Sequence, residues 1–518
     1  MKLSRRTTLA AAAATALPRF AIAQSDTRPE IKVAVQKISN TLTLEPLREQ
    51  SSNVSERWVA SILETLIGRN QHSMLERVPG LATEWRRIDD LTVELDLRPG
   101  VTMHDGREFT VEDVLFSFGQ GHAYGGDVPK DVTAIARRHF PTLKGLSPTG
   151  KYGVRFISEK PDITMEGRLS AGGAEIVSQA AWRERGSWVA NSTTPVGSGP
   201  YLVERYVPGS QLALRAHDAY WGGRPPLKRV IFLEVPEAAS RIAGLRAGDF
   251  DFACDLTPDQ SIALMRDAKI AVKGGLVPNH RILAFDKNHP VLANPKIRLA
   301  MAHAIDCQAI VDSLWAGKAR VPRGLQWEFY GPMYLDRWRS PEYSPPLARG
   351  MLVEAGYKGE EIVYRARHNY YTAEVSTAQV LLEYWTQIGL NIKLEICENW
   401  AQVLAKPGPR GVRDWSNSAT FDDPVSSIVA QHGPNGAQQT SGEWTNAEMN
   451  TLSNQMETSM DMAARKLMFQ RMLQICERDD PAYIVLHQNA VFTAHRAGLP
   501  WRASPSFFMD FSARGWTA

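Results

Sequence analysis

The sequence predicts an α/β protein of two or three domains, with mixed sheets flanked by helices. Three observations carry that expectation. Residues 91–118 read as strand, turn, strand and helix. Residues 362–396 read as strand, helix and strand at the spacing of a βαβ unit, whose strands run parallel with a right-handed crossover. The chain has 518 residues, more than one hydrophobic core can organise. Its 43% hydrophobic and 22% charged content is that of an ordinary globular chain.

The N-terminus reads as an export signal rather than as part of the fold. Ser4-Arg5-Arg6-Thr7-Thr8-Leu9 is a twin-arginine pattern, with Thr8 where Phe is common. A mild apolar run over 9–17 follows, too short to span a bilayer, and Ala21-Ile22-Ala23 is a small-x-small cleavage site. No cysteine stands near that site, so no lipid anchor is expected. The whole chain carries a formal charge of +3. Residues 1–23 hold Lys2, Arg5, Arg6 and Arg19; without them 55 basic residues face 56 acidic ones and the charge is −1. The basicity therefore belongs to the signal, and nothing in it points to nucleic acid.

Residues 30–35 read as a first strand, 47–53 as a polar loop, and 56–66 as a helix with Val59, Ile62, Leu63 and Leu66 on one face. In the next stretch Leu91, Val93, Leu95 and Leu97 alternate with Thr92, Glu94 and Asp96, the period of a half-buried strand. Pro99-Gly100 breaks it, Asp105-Gly106 turns the chain, and Thr110 caps a helix whose apolar face is Val111, Val114, Leu115 and Phe118. Residues 119–141 are rich in glycine and charge and give no clear element. A strand follows at 154–157.

In 195–201, two glycines flanking Ser198 suit a tight turn with close backbone packing. A phosphate loop would need a lysine that is missing, and the serine lacks the G-x-S-x-G spacing of a nucleophile elbow. Strands at 212–215 and 230–235, a helix over 237–247 stopped by Gly248, and a strand at 250–252 come next. A boundary is expected near 274–278. Beyond it lie a strand at 283–286 and a helix capped by Asn294 with Pro295 at its first position. His303 on that helix has no neighbours that complete a metal set. The βαβ unit follows, its helix facing inward with Leu381, Tyr384, Trp385 and Ile388. The last elements are helices at 444–456 and 463–475 and a strand at 483–486 that returns to the first domain.

Cys254, Cys307, Cys397 and Cys476 are far apart with no C-x-x-C, which argues against zinc; an oxidising compartment permits disulfides whose pairing the sequence does not give, and four buried thiols are the favoured reading. The motifs H-E-x-x-H and G-x-S-x-G are absent.

Several segments carry a specific likeness. Leu97-Arg98-Pro99-Gly100-Val101, His104-Asp105-Gly106 and Glu112-Asp113-Val114 form the first. Pro195 to Tyr201, Tyr220-Trp221-Gly222-Gly223, Leu245 to Asp251, Asn294 to Asp306 and Ala355-Gly356-Tyr357 continue it. Together, over roughly residues 30–490, they resemble bacterial extracellular solute-binding proteins of the peptide/nickel-binding family, which serve ABC importers. The resemblance implies a large two-lobed periplasmic-binding-protein fold with a hinge of crossing strands. The implied bounds are 24–275 for the first lobe, with an inserted subdomain about 56–185; 276–482 for the second; and 483–518 for the return. It further implies a periplasmic monomer that performs no catalysis, needs no cofactor or metal, and hands a small peptide-like solute to permease and ATPase subunits.

In peptide-binding relatives an Asp in a W..D...DP-like loop holds the ligand's amine. The matching loop here runs from Trp415 through Ser416 and Asn417 to Asp423-Pro424, and puts Thr420 where that Asp would stand. A hydroxyl cannot offset a buried ammonium. Asp422 is then the expected source of charge, or else the solute is sugar-, sugar-phosphate- or opine-like. Further ligand-binding candidates are Arg365, Arg367, His368, Asn369, Tyr370, Tyr371 and Trp400, with Asn53 and Ser52 from the first lobe and the polar loop 431–436. The arginines suit a carboxylate or phosphate. The alternative classes are a secreted hydrolase with dispersed carboxylates, and a binding protein turned sensor.

Overall fold

The computed structural model describes residues 26–49, 53–368, 370–405 and 410–517. Residues 1–23, read from sequence as an export signal, lie outside them, as do Ser52 and Asn369. Among the described residues no helix is long and apolar enough to cross a membrane, and no group of three His, Cys, Asp or Glu side chains could hold a metal.

Ten strands form one mixed sheet. Its order is Asn391–Cys397, Glu361–Arg367, Val412–Ser418, Ile270–Phe285, Tyr483–Arg496, Phe252–Ala253, Glu30–Val35, Arg229–Glu234, Gln211–Ala216 and Tyr201–Val207. Strands 361–367 and 391–397 pair in parallel across the helix Glu374–Gln387, as a βαβ unit requires. That helix buries Leu381 and Trp385 completely. The strand 391–397 lies at the sheet edge, so its alternation is only partly used and Ile396 stays 44% exposed.

Two long strands stitch the sheet together. Residues 270–276 pair with 490–496, next to the 252–253 strand, whereas 280–284 pair with 483–488, next to the 412–418 strand. Between them the ladder breaks at residues 277–279. The glycines and proline of 274–278, which read as a boundary, thus sit inside one continuous strand. A Cβ on Gly274, whose φ is +135°, would meet the Val491 carbonyl oxygen at 1.8 Å, so the crossing needs glycine there. Pro278 sits in the interruption, where a missing N–H costs no ladder bond. The 483–496 strand is likewise far longer than the four residues its sequence suggested.

A separate four-stranded antiparallel sheet has the order Ala82–Asp89, Thr92–Leu97, Gly153–Ser158, Leu143–Gly150. Val93, Leu95 and Leu97 bury against Phe109, Val114 and Phe156. Leu91 does not join them; it belongs to the turn before the strand and is 40% exposed. Thr110 and Asp113 form the capping box of Val111–Ser117, the Thr110 N–H donating to Asp113 Oδ2 at 3.0 Å.

The 195–201 turn is structural. A Cβ on Gly197 or Gly199 would lie 2.5 or 2.6 Å from the carbonyl oxygens of Ile62 and Ser61, and Ser198 Oγ donates to Glu64 at 2.7 Å. All four cysteines are free thiols, but Cys307 is half-buried rather than buried.

Candidate functional site

A cavity of about 380 Å³ takes its walls from both halves of the large sheet. From the N-terminal half come Asn40, Asn53, Arg138 and His139 at the end of the helix Lys130–His139, and Arg168 at the end of the helix Met165–Arg168. From the other half come Tyr370 and Tyr371, which follow the 361–367 strand, and Trp400 at the start of the helix Trp400–Val403. Trp415, Ser416, Ser418 and Thr420 on and after the 412–418 strand add to that wall, as do Gln431 and Asn435. Glu457, near the end of the helix Ala447–Thr458, completes it. Aromatic faces with neutral amides and hydroxyls are the lining a polar small molecule needs.

The tyrosine pair is held from beneath. The buried Glu374 carboxylate accepts the N–H groups of Arg367, Tyr370 and Tyr371 at 2.7, 3.0 and 2.8 Å. The Arg281 guanidinium, 3% exposed, lies 3.9 Å from the Tyr371 ring centroid, 2.6 Å from Asp414 and 4.0 Å from Glu374. Tyr364 donates to the other Asp414 oxygen at 2.7 Å. Burial pushes Asp414 up to about 7, against the pull of Arg281. Burial also drives the Tyr371 phenol well above its usual value, so it stays a neutral donor, and it reaches Ser416 Oγ at 3.3 Å.

Among the described residues, side-chain contacts join the two halves at or beside the cavity. The Tyr370 hydroxyl accepts from Asn40 and donates to Asn53, each at 3.3 Å. Arg168 meets Glu457 at 3.3 Å. Arg77 meets Asp422 at 3.0 Å.

Of the residues expected from sequence, Asn53, Tyr370, Tyr371, Trp400, Trp415, Ser416 and Thr420 line the cavity together. The others do not. Asp422 turns outward to Arg77, so it supplies no charge in place of Thr420. Arg365 is tied to Glu395 at 3.1 Å and to the Val403 carbonyl, because its strand alternates it away from the cavity. Arg367 lies over the rings of Tyr370 and Trp400, at 4.5 and 5.4 Å, behind the wall they form. His368 is exposed, with its N–H on the Cys397 carbonyl. Asn417 is buried behind the wall, bonded to Gln431 and to the Ser427 carbonyl. From loop 431–436, Gln431, Pro434 and Asn435 do line the cavity.

Sequence reasoning missed Asn40, Arg138, His139, Arg168 and Glu457. For the 130–139 helix a signal existed. Val132, Ile135, Ala136 and His139 fall at i, i+3, i+4 and i+7, but the surrounding glycines and charges obscured it. Burial, with Arg138 and Arg168 nearby, lowers His139 to about 3, so its ring is neutral. Burial also lowers Arg138, and among the described residues no carboxylate or other hydrogen-bond acceptor pairs with it.

Known proteins share this fold. The Pseudoalteromonas sp. SM9913 dipeptide binding protein, solved with Met-Leu, superposes with a TM-score of 0.81 at 20% identity, over 91% of this chain and 96% of that one. MoaA from A. tumefaciens R10, solved with mannopinic acid, gives 0.80 at 20% identity over 95% and 98%. Heme-binding protein A of Haemophilus influenzae is 26% identical over 446 residues, 79% of this chain and 78% of that protein. Residues 76–438 match the family model of bacterial extracellular solute-binding proteins, family 5 (middle), and the chain belongs to that family.

Proposed function

We propose that the protein is the periplasmic receptor of an ABC importer, which captures a small polar, peptide-like solute between two lobes and delivers it unchanged to a membrane permease and its ATPase. The observation that carries this is the cavity itself, walled from both halves of the chain, whose shared sheet is crossed by two long strands. A solute touching both walls stabilises the closed form by the difference in its contacts to the open and closed states. The lobes are 24–275, with an inserted subdomain about 56–185, and 276–482, with 483–518 returning to the first; the pivot is the ladder break at 277–279. Export of a monomer follows a twin-arginine signal cleaved after Ala23.

A second reading, a sugar-, sugar-phosphate- or opine-like solute, is favoured by Thr420 on the wall and by Asp422 turned away from it. The solved structures of this fold include receptors holding a dipeptide and mannopinic acid, so the fold accommodates both classes. A screen of candidate solutes tests the role. A bound solute raises the melting temperature and is recovered intact, and deleting the gene abolishes its uptake. Turnover of the solute, or uptake unaffected by the deletion, refutes it.

A further inference from the structure

We infer that Arg138 is the receptor for a carboxylate on the solute, and that the rest of the cavity takes an uncharged polar body rather than a free ammonium. The inference rests on the capture reading above and names its ligand class.

The argument is a balance of charge along the wall. Arg168 is occupied: it holds the His139 carbonyl at 2.8 Å, Thr164 Oγ1 at 2.9 Å and Glu457 at 3.3 Å, with Asp162 3.6 Å away. Glu457, the carboxylate on the wall among the described residues, is thereby held in an ion pair. Arg138 is next to His139 in sequence and on the same wall, yet among the described residues it has no acceptor. Arg138 is half-buried, so its guanidinium has given up part of its water without gaining a partner among the described residues, and a carboxylate arriving in the cavity offsets that loss with paired, charge-assisted bonds. His139 beside it is neutral and adds no competing charge.

The opposite wall supplies the other half of the argument. Ser416, Ser418, Thr420, Gln431 and Asn435 donate and accept hydrogen bonds without charge, and Trp400 and Trp415 give faces for stacking. Among the described residues an ammonium placed there would find no free carboxylate, because Glu457 is held by Arg168 and Asp422 is bound to Arg77 outside the cavity. The ligand class is therefore a carboxylate whose nitrogen, if any, is acylated or otherwise not a free primary amine, or a polyhydroxy acid.

The test uses the full mature protein and matched probes, followed by thermal shift and calorimetry. The first set is gluconate against sorbitol. The second is a series of N-acetyl dipeptides against their C-terminal amides, and the third is the same dipeptides with free amines. We expect a carboxylate from the first or second set to bind, its uncharged counterpart to fail, and Arg138→Gln to weaken binding at least about 10-fold, with Arg138→Lys restoring part. Equal binding of the uncharged counterpart, or unchanged affinity in Arg138→Gln, overturns the inference. Binding confined to free-amine dipeptides also overturns it while leaving the capture role intact. Failure of every probe, with no solute co-purifying by mass spectrometry, overturns both.

Discussion

Arg168 Nη2 lies 3.3 Å from Glu457 Oε1, an ion pair between opposite halves of the chain on the wall of one cavity. It is one of several such cross-links among the described residues, and its energy counts only while the halves are together. Glu457→Ala is therefore expected to favour the open form. Small-angle scattering of the ligand-free variant should give a larger radius of gyration, and solute release should quicken by up to about 5-fold, the scale of a single partly solvated ion pair. An unchanged radius and release rate would show that the pair does not hold the halves.

Trp400 touches the cavity, whereas Arg367 braces it from behind. Trp400→Ala should weaken solute binding by about 10-fold with little loss of folding stability. Arg367→Ala should have a smaller effect, exerted through the ring orientation of Tyr370. Calorimetric titration of both variants checks the ranking; equal losses would place Arg367 in direct contact.

The charge beneath Tyr371 supports the site. Removing Arg281 leaves Asp414 and Glu374 buried without a counter-ion, so Arg281→Met should cost roughly 3–5 kcal/mol in denaturant unfolding. A loss below about 1 kcal/mol would mean the two carboxyls are satisfied without it.

Gly274 and Gly275 are neighbours with different demands. Gly274→Ala forces a Cβ onto the Val491 carbonyl at positive φ and should cost about 3 kcal/mol or more. At Gly275 a Cβ meets nothing within 4 Å, so Gly275→Ala should stay within about 1 kcal/mol of the parent. Comparable melting temperatures for the two variants would contradict the packing at the crossing.

Burial lowers His432 to about 3, despite the bond its Nδ1–H donates to Gln438 Oε1 at 2.6 Å. The unfolded chain takes up that proton near pH 6.5 and the folded one does not. Stability is thus fully present above pH 6.5 and falls as the pH drops toward 3, by about 2 kcal/mol at pH 5 for this group. His432→Gln should reduce the fall in melting temperature between pH 7 and pH 5. An identical fall in both proteins would mean His432 is protonated in the native state.

Local periodicity was enough to read the small sheet, its capped helix and the βαβ unit. In each, every second or every third and fourth side chain faces one core, as Val93, Leu95 and Leu97 do, or Leu381 and Trp385. The tight turn at 195–201 was legible for a related reason, because only glycine tolerates backbone that close. The crossing strands were not. Gly274 and Pro278 have the composition of a linker, and only their pairing with 483–496 makes them part of a strand.

The sequence by itself determined the fold class, the family and the aromatic wall of the cavity, since apolar spacing, turn residues and the motif run are all local along the chain. Only the tertiary structure decided which charged groups face a solute. Arg365, Arg367 and Asp422 looked available and are engaged elsewhere, while Arg138 lay in a stretch without a clear element and is brought to the cavity with no partner among the described residues. A charge acquires its role from the partner it meets in the fold, and that partner can stand hundreds of residues away: Arg77 is 345 positions from Asp422, and Arg168 is 289 from Glu457.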